Sequence, residues 1–515
     1  MSPTLFILFM NDLVPELPRG VHAALYADDL VLWSTEEHAT TATYRMQKAL
    51  DKLTAWTNNW CITINKEKSS ATLFTLSNKT QAGRLHLDGT PLRYEDQQTY
   101  LGVTFDKRLT WKQHIQNAES KARRKLNIMR KLAGTQWGAN EKILRSVYQG
   151  SVRPHLEYGS SSWITAAESH KQTLQRVQNQ ALRIITGAMR STPIEKMEET
   201  TGIPQLKKRW RCKSLIQYTK AETMDSHLMH NRTSKGSSGR LKRSSFIKDT
   251  RLLQKELQHQ LPKKATVLQP DNGPPPWNDN MRDITIHTTV PYLSTKDEHS
   301  DVSKKALTLA MLHERYPQEA WTRAFTDGSA TNAVMRGGAG VYIQFPDGQR
   351  RAKAIPTGLH CTNYRAEVEA LILAANTIKE EAPPDSQVVF LTDARSVLEA
   401  ASKLPQLQDA LHNIQCPRLV LQWIPSHCGI RGNEEADRMA KLGADKEQIS
   451  NNISLSEMNT IIKSVFRTPQ STDSYHQLNR QEQVIISRLR TGHNRLNYHM
   501  YRCFRLAPSP PLPLW

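Results

Sequence analysis

The stretch RAFTDGSA, residues 323–330, decides the fold class, because it predicts a β-strand that carries Asp327 towards its end, followed directly by Gly328. Alternating strand and helix patterns continue to about Asp445. Strands are expected near 322–329, 338–345, 350–356, 387–392 and 418–424, and helices at about 362–379, between the last two strands and from about 432 onward. This order predicts a compact α/β domain.

Four carboxylates recur at corresponding points of this domain, at the end of a predicted strand or on a predicted helix. They are Asp327, Glu367, Asp393 and Asp437. An apolar strand that finishes in a carboxylate delivers it to the edge of the sheet, where ligands bind in open α/β folds. Glu367 shares its helix face with Ala370 and Ala374, so its side chain is expected to point towards the sheet. Several of these acids are therefore expected to converge.

Converging carboxylates repel one another strongly unless a cation lies between them. Oxygen ligands favour Mg²⁺ or Mn²⁺, and such a cluster suits the hydrolysis of a phosphodiester by two metal ions about 3.5 to 4 Å apart. His427 follows a strand in the glycine-bearing loop WIPSHCGIRGN and is a candidate proton shuttle.

Each of these residues also has an ordinary structural explanation when it is taken singly. Asp327 before glycine is a common turn residue, Asp393 before Ala-Arg-Ser fits a helix N-cap, and Asp437 has a basic neighbour with which to pair. A single loop histidine is usually a surface residue. The order of the set favours a catalytic site, because five such positions follow one another within about 110 residues.

The segments FTDGSA, YRAEVEAL, LTDARSVL and WIPSHCGIRGNEEADRMAK resemble, in this order, the motifs of type 1 ribonuclease H, over essentially Trp321 to Asp445. The resemblance implies a mixed five-stranded sheet with helices and Mg²⁺-dependent cleavage of the RNA strand of an RNA/DNA hybrid. Four positions match the family's metal-binding carboxylates, namely Asp327, Glu367, Asp393 and Asp437. His427 matches its catalytic loop histidine.

Two further positions, Ser329 and Asn363, fall where members of this family often contact substrate. One departure from the family pattern is the segment between Ser396 and Arg418, which is short and lacks the basic helix by which some members hold the hybrid. Affinity for the hybrid is then expected to depend on basic helices upstream.

A second motif lies near the N-terminus, in HAALYADDLVLWS, residues 22–34. The apolar runs around Asp28 and Asp29 predict two strands joined by a tight turn, which either holds a divalent metal or is a hairpin whose acids suit the turn. Together with MSPTLFILFMNDL, WCITINKEKS, YLGVTFDKRLTW and LQRVQNQALRIITGAMRSTP, it resembles the later palm motifs, thumb and connection of reverse transcriptases from non-LTR (LINE-type) retrotransposons. Some of those elements carry a ribonuclease H after the polymerase, so both resemblances imply one source.

Polymerase chemistry needs a third carboxylate, from a strand upstream of this motif. Residues 1–25 offer only Asp12 and Glu16, and Asp12 belongs to a different motif. Asp28 and Asp29 are therefore interpreted as polymerase-type metal ligands in a truncated palm domain, and the chain alone is expected to synthesise no DNA. An intact polymerase that acts in trans is an open partner.

The chain of 515 residues has a formal net charge of +20, which favours a polyanionic partner such as nucleic acid. Between 321 and 445, 13 basic residues face 14 acidic ones, whereas residues 107–157 hold 12 basic residues against three acidic ones. Helices are expected around 115–133 and 174–184, each with one apolar and one basic face. The basic faces are either a track for nucleic acid or ordinary solvated surfaces.

Five regions are predicted along the chain. They are a truncated reverse-transcriptase palm at 1–115, a basic helical thumb and connection at 116–225, a linker at 226–318, a ribonuclease H domain at 319–446 and a partly helical tail at 447–515. The linker is inferred from NRTSKGSSGRLKRSS and DNGPPPW. A hairpin is expected at LHLDGTPLRY, residues 85–94.

The six cysteines form no Cys-x-x-Cys pair, so neither a disulfide framework nor a zinc site is predicted. RQEQVIISRLRTGHNRLNYHMYRC resembles the segment that leads into a Cys/His zinc element in these retrotransposon proteins, but no partner cysteines follow Cys503. No apolar run approaches the roughly 20 residues that span a bilayer, and no signal peptide is recognised. An intracellular protein is expected, in the nucleus or the cytoplasm.

Two functions fit these patterns. One is an RNA/DNA-hybrid ribonuclease in which all five catalytic positions are filled, and the other is a non-catalytic nucleic-acid-binding remnant of a degenerate element. Both predict salt-sensitive binding of nucleic acid, so binding does not separate them. Metal-dependent turnover that is lost on the substitution Asp393→Asn does.

Overall fold

The computed structural model describes residues 3–77, 83–235, 244–262, 284–293, 300–331, 334–383, 386–448, 450, 452–468 and 473–493. Contacts between residues divide the chain into two compact units, Met1–Arg211 with Arg243–Phe246 and Thr468–Trp515, and Cys212–Lys242 with Ile247–Arg467. The linker signal DNGPPPW, most of NRTSKGSSGRLKRSS and the tail around Cys503 lie outside the described residues.

The second unit contains a six-stranded mixed sheet. Its strands are β1 (Thr285–His287), β2 (Trp321–Thr331), β3 (Met335–Gln344), β4 (Arg350–Gly358), β5 (Gln387–Thr392) and β6 (Leu419–Trp423). Their order across the sheet is β4-β3-β2-β5-β6-β1, in which β2 pairs with β3 and β3 with β4 in antiparallel fashion, and the remaining neighbours are parallel. The α/β class and the five strands expected from the sequence are confirmed, and the structure adds β1.

Helices cover both faces of this sheet. They are α1 (Asp301–Arg315), α2 (Asn363–Glu381), α3 (Arg395–Ala400), α4 (Pro405–His412) and α5 (Arg431–Asp445), and α6 (Leu455–Val465) follows them in the chain. Successive residues of a strand point to opposite faces. Val388 and Phe390 of β5 accordingly lie in the core that α2, α3 and α4 share, whereas Val389 and Leu391 lie in the core with α1 and α5.

The region that the sequence predicted as a linker contains regular structure in its described part. Besides α1 and β1, it holds the helices His230–Thr233 and Phe246–Glu256. The polar composition conceals short amphipathic stretches, in which Leu253 of one helix and Met311 and Leu312 of α1 are buried. Strand β1 has only three residues, too few to give an alternating pattern that a sequence could reveal.

The first unit is mostly helical, with short strands near its start. Its helices are Pro3–Met10, Leu13–Glu16, Ala39–Asn59, Lys112–Arg130, Glu141–Val147, the π-helical Tyr148–Val152, Arg153–Glu157, Ser160–Trp163, Glu168–Thr186, Ile194–Thr201, Leu206–Thr223 as far as Arg211, the 3₁₀ turn Ser474–Gln477 and Arg480–Arg490. Its strands are Val21–Tyr26, Asp29–Ser34, Ser70–Ala71, His86–Leu87, Thr90–Pro91, Arg93–Tyr94, Gln97–Tyr100 and Val103–Asp106.

Both predicted hairpins are present in this unit. Val21–Tyr26 pairs antiparallel with Asp29–Ser34, so that Ala27 and Asp28 form a two-residue turn. His86–Leu87 pairs with Thr90–Pro91, and the turn residues Asp88 and Gly89 both have positive φ, as a type I′ turn requires.

The two basic helices that the sequence predicted are Lys112–Arg130 and Glu168–Thr186. The first buries Ile115, Ala122 and Leu126 and exposes its basic residues on other faces. The second ends at Gly187, whose left-handed backbone at φ 64° stops the helix. No helix in the described part of the chain is long and apolar enough to cross a bilayer.

The helix Arg480–Arg490 packs against Glu168–Thr186 in the first unit. The Arg480 side chain is buried and donates hydrogen bonds to three backbone carbonyls, from Nε to Gly134 at 3.0 Å, from Nη2 to Ile184 at 2.7 Å and from Nη1 to Ile185. The last two carbonyls belong to the final turn of Glu168–Thr186, which has no further helical donors for them. A positive charge there also complements the helix dipole.

We expect Arg480→Met to loosen this end of Glu168–Thr186, because one buried and two partly buried carbonyls lose their charged donor at a cost of about 2 to 4 kcal/mol. Amide hydrogen exchange in the last turn of that helix, measured on the full chain, is expected to become at least tenfold faster. The control is Arg124→Met, since Arg124 is exposed on Lys112–Arg130. Equal exchange rates in the Arg480 and Arg124 variants would contradict the capping role.

Candidate metal centre

Strand register brings the first two aspartates together. Strands β2 and β5 run parallel, with Thr326 opposite Thr392. Asp327 and Asp393 are the next residues along these adjacent strands, so their side chains leave the same face of the sheet. Asp393 directly follows the last residue of β5. The Trp423 indole fixes it there by donating from Nε1 to the Asp393 carbonyl at 3.1 Å.

Glu367 reaches these aspartates because α2 lies very close to β2. The Thr362 hydroxyl caps the helix by accepting a hydrogen bond from the Arg365 backbone N–H at 3.3 Å. A Cβ atom on Gly328 would lie 2.3 Å from the Glu367 backbone nitrogen. Any side chain at position 328 would therefore force the helix away from the strand and withdraw Glu367.

The three carboxylates form a compact donor set. Asp327, Glu367 and Asp393 each offer an oxygen atom within 4.8 Å of the others, and Asp327 is only 8% exposed. The Glu367 Oε2 atom is buried and has no hydrogen-bond partner in the described part of the chain. Among the residues that the structure describes, this is the group of three acidic, histidine or cysteine side chains arranged to hold a metal ion.

Burial and the charges of neighbouring carboxylates raise the pKa values of all three groups. Burial raises the pKa of Asp327 to about 7, and the charges of Asp393 and Asp437 add to the effect. Burial, with Asp327 and Asp393, raises the pKa of Glu367 well above its ordinary value. Burial also raises the pKa of Asp393, against the opposing effects of a hydrogen bond from Asn433 and the charge of His427. The cluster therefore holds protons near neutral pH unless a cation replaces them.

Asp437 lies beside the cluster on α5. It adds to the raised pKa values of Asp327 and Asp393, but it is not one of the three convergent ligands. Its Oδ2 atom accepts a hydrogen bond from Lys441 Nζ at 2.5 Å. The helix approaches the sheet closely, since a Cβ atom on Gly340 would lie 2.1 Å from the Ala436 carbonyl oxygen.

His427 occupies an exposed loop between β6 and α5. Its backbone has φ 46°, a left-handed conformation that is uncommon for residues other than glycine. Buried residues on both sides of it, Ile424 and Cys428, anchor the loop, and Glu434 accepts a hydrogen bond from the Gly429 N–H at 3.3 Å. The structure brings the charge of His427 near Asp393 without placing it inside the cluster.

Asn433 is a site residue that the sequence reasoning missed. It is buried and hydrogen-bonds the Asp393 carboxylate. A signal was available, because Asn433 lies four residues before Asp437 and therefore on the same face of α5. The two expected substrate contacts share faces with the cluster in a similar way: Ser329 lies two residues after Asp327 on β2, and Asn363 is exposed four residues before Glu367 on α2.

These residues fit a divalent cation. Three carboxylates with a buried, unpartnered oxygen are hard donors of the kind that Mg²⁺ and Mn²⁺ prefer. The raised pKa values show that the protein holds these acids together at an electrostatic cost which a bound cation would remove.

Comparisons with known proteins match the α/β domain that contains this cluster. The RNase H family model matches residues 319–445. Ribonuclease HI of Haemophilus influenzae is 32% identical over 138 residues, which cover 24% of this chain and 88% of that protein. The chain belongs to the ribonuclease H family. The structure of RNase H1 from the halophilic archaeon Halobacterium salinarum NRC-1 aligns with 24% of this ribonuclease H chain and 98% of its own, at 19% identity and a TM-score of 0.21, which adds nothing to the sequence matches.

The N-terminal part of this ribonuclease H chain matches a second family. The model of the reverse transcriptase (RNA-dependent DNA polymerase) matches residues 1–105. The RNA-directed DNA polymerase from mobile element jockey of Drosophila melanogaster is 30% identical over 205 residues, 38% of this chain and 22% of that protein. A Pol polyprotein from the type-1 retrotransposable element R1 4 of Nasonia vitripennis is 32% identical over 112 residues, 22% of this chain and 29% of that protein.

These matches confirm the resemblance inferred from the sequence: a non-LTR retrotransposon protein with a reverse-transcriptase region followed by ribonuclease H. The chain spans about a fifth of the length of its jockey relative. In the reverse-transcriptase region, Asp28 and Asp29 are both exposed at the tip of their hairpin. Within the described residues they do not join a third metal-binding side chain.

In the absence of metal ions we expect the free energy of unfolding of the chain to fall as the pH rises from 3.8 through about 7. The raised pKa of Asp327 means that the folded chain keeps a proton which the unfolded chain has released in that range. Asp327→Asn should remove part of this loss and raise the thermal midpoint in EDTA at pH 8. Melting curves of the wild type and of the variant at pH 5 and pH 8 measure the effect.

The matched control is Asp409→Asn, since Asp409 is exposed on α4. Addition of Mg²⁺ at pH 8 should raise the midpoint of the wild type and of the Asp409 variant, but not that of the Asp327 variant. If the thermal midpoints of the Asp327 and Asp409 variants do not differ from each other at pH 5 or at pH 8, the proposed electrostatic conflict at Asp327 is refuted.

Proposed function

We propose that the chain hydrolyses the RNA strand of RNA/DNA hybrids, with two Mg²⁺ or Mn²⁺ ions held at the cluster. The observation that carries this proposal is the set of Asp327, Glu367 and Asp393 with its unpartnered Glu367 oxygen. Asp437 is proposed as the fourth ligand, because it lies next to the cluster and already shares its electrostatic conflict.

When bound, such ions activate a water molecule and stabilise the leaving oxygen of a phosphodiester. The protein's own residues then have separate tasks. Asn433 orients the Asp393 carboxylate, and Lys441 holds Asp437. His427, on its exposed loop near Asp393, takes or gives a proton at its imidazole. Ser329 and Asn363, which share faces with the cluster, contact the nucleic acid.

The basic helices of the first unit are proposed to contribute affinity for nucleic acid. Lys121, Arg124 and Lys125 are exposed on Lys112–Arg130. Their positive charges, together with burial as the larger cause, lower the pKa of His155 nearby. Four cationic or ionisable groups on one surface favour binding of a phosphate backbone. In this chain they would compensate for α4, which contains no lysine or arginine.

The reverse-transcriptase region is proposed not to synthesise DNA on its own. In the described residues, Asp28 and Asp29 have no third carboxylate with which to bind two metal ions. An intact polymerase acting in trans would then make the hybrids that the ribonuclease H cuts.

We expect the purified full chain to cut a labelled RNA strand in an RNA/DNA hybrid with Mg²⁺, to leave 3′-hydroxyl and 5′-phosphate ends, and to be inactive in EDTA. Asp393→Asn should lower the rate by at least about 100-fold, because it removes one ligand of the cluster. Asp409→Asn is the control and should retain the wild-type rate. A folded wild-type chain that binds the hybrid but never cuts it would favour a non-catalytic nucleic-acid-binding remnant.

We expect the same preparation to extend no DNA primer on an RNA template, with Mg²⁺ or Mn²⁺ and all four deoxynucleotides. Single-nucleotide extension on a sequencing gel is the measurement. Extension by the wild type that disappears in Asp29→Asn would overturn this prediction and make the exposed pair a working polymerase site.

A further inference from the structure

Helix α6 lies outside residues 319–445, the range that matches the ribonuclease H family. It begins with a capping box in which Ser454 Oγ accepts a hydrogen bond from the Glu457 N–H at 3.1 Å and Glu457 Oε2 accepts one from the Ser454 N–H at 2.9 Å. Met458, Ile461 and Ile462 anchor the helix in a separate hydrophobic cluster. The position of α6 therefore does not depend on the charge of Glu457.

Glu457 has a second partner on another helix. Its side chain is only 5% exposed, and its Oε2 atom lies 3.4 Å from Nη1 of Arg365 in the first turn of α2. The same Nη1 donates a hydrogen bond to the Asn452 carbonyl at 2.8 Å. Nε of Arg365 lies 3.8 Å from Glu369 Oε1. A carboxylate as buried as Glu457 needs such a cation, and the pair fixes the guanidinium between α6 and α2.

Arg365 in turn sets the first turn of α2. Its backbone N–H binds the capping hydroxyl of Thr362, and the two residues between them, Asn363 and Tyr364, are exposed. Asn363 lies one turn before Glu367 and so on the same helix face, next to the metal cluster. The free N–H groups of a first helical turn are suited to binding a phosphate.

Glu367 is held by a different set of contacts. The Gly328 backbone N–H hydrogen-bonds its carboxylate, and the close packing of Gly328 against α2 fixes its backbone. A disturbance at Arg365 should therefore move the exposed first turn and leave the metal ligand in place.

We propose that Glu457, acting through Arg365, is a positioning residue that holds the first turn of α2 against the phosphate backbone of the hybrid. This inference rests on the proposed function, because it assigns the substrate side of the same site. It makes α6 a part of the nuclease that the family match does not include.

The test compares Glu457→Gln with Glu482→Gln in the full chain. Glutamine at position 457 keeps the capping bond but loses the ion pair with Arg365. Glu482 occupies the same position in the capping box of Arg480–Arg490, with Asn479 as its partner, and is exposed. The readouts are KM and kcat for hybrid cleavage, the Mg²⁺ concentration for half-maximal rate and the Kd for the hybrid in Ca²⁺.

We expect Glu457→Gln to raise KM and Kd for the hybrid about tenfold, a loss of about 1.4 kcal/mol in binding, with kcat and the half-saturating Mg²⁺ concentration unchanged. Glu482→Gln should match the wild type in all four. Combining Arg365→Gln with Glu457→Gln should add little to either single change, because both break one pair.

A drop in kcat with unchanged KM and Kd would mean that Glu457 only stabilises the fold, and it would overturn the proposal. A rise in the half-saturating Mg²⁺ concentration would place the effect at Glu367 and would also overturn it. A wild-type chain that does not cut the hybrid at all would instead refute the proposed function itself, an outcome that the wild-type arm alone reveals.

Discussion

The nuclease domain depends on one electrostatic constraint: carboxylates that repel one another are held together away from water. Burial, with the charges of Asp393 and Asp437, raises the pKa of Asp327 to about 7. Within the described residues, Glu367 Oε2 has no hydrogen-bond partner, so no donor there offsets the repulsion at this atom. Backbone packing maintains the arrangement, above all the contact of α2 with β2 at Gly328. A fold that keeps such acids close has stored the free energy that cation binding releases.

Several features of the domain hold the cluster in place where β2 and β5 end. The parallel register of β2 and β5 places two aspartates side by side. Gly328 lets helix α2 approach the sheet closely, and Gly340 does the same for helix α5. Aromatic and amide groups then fix the acids individually, as Trp423 and Asn433 do for Asp393. These contacts restrict the orientation of the carboxylate group, and partners of this kind raise the affinity of a site for metal ions.

The sequence revealed those features that repeat locally. The strand and helix patterns located the sheet, and the endings of two strands predicted that Asp327 and Asp393 would meet. It did not reveal β1, because three residues carry too little pattern, or the pair of Arg365 and Glu457, because 92 residues separate the partners. Asn433 could have been found from its spacing to Asp437, but an isolated asparagine gives no sign of the carboxylate that it serves.

The two groups of acids in this chain show that a metal-binding arrangement depends on the distances between carboxylates in the fold and not on their separation in the sequence. Asp28 and Asp29 are neighbours, yet consecutive residues at a turn and strand point in different directions and both stay exposed to water. The acids of the cluster come from separate elements, 66 residues apart for Asp327 and Asp393, and each element points one of them at the same place. Two acids on one hairpin need a carboxylate from another strand or helix before they can surround a metal ion. Acids that lie on separate strands and helices surround a common point as soon as those elements pack together.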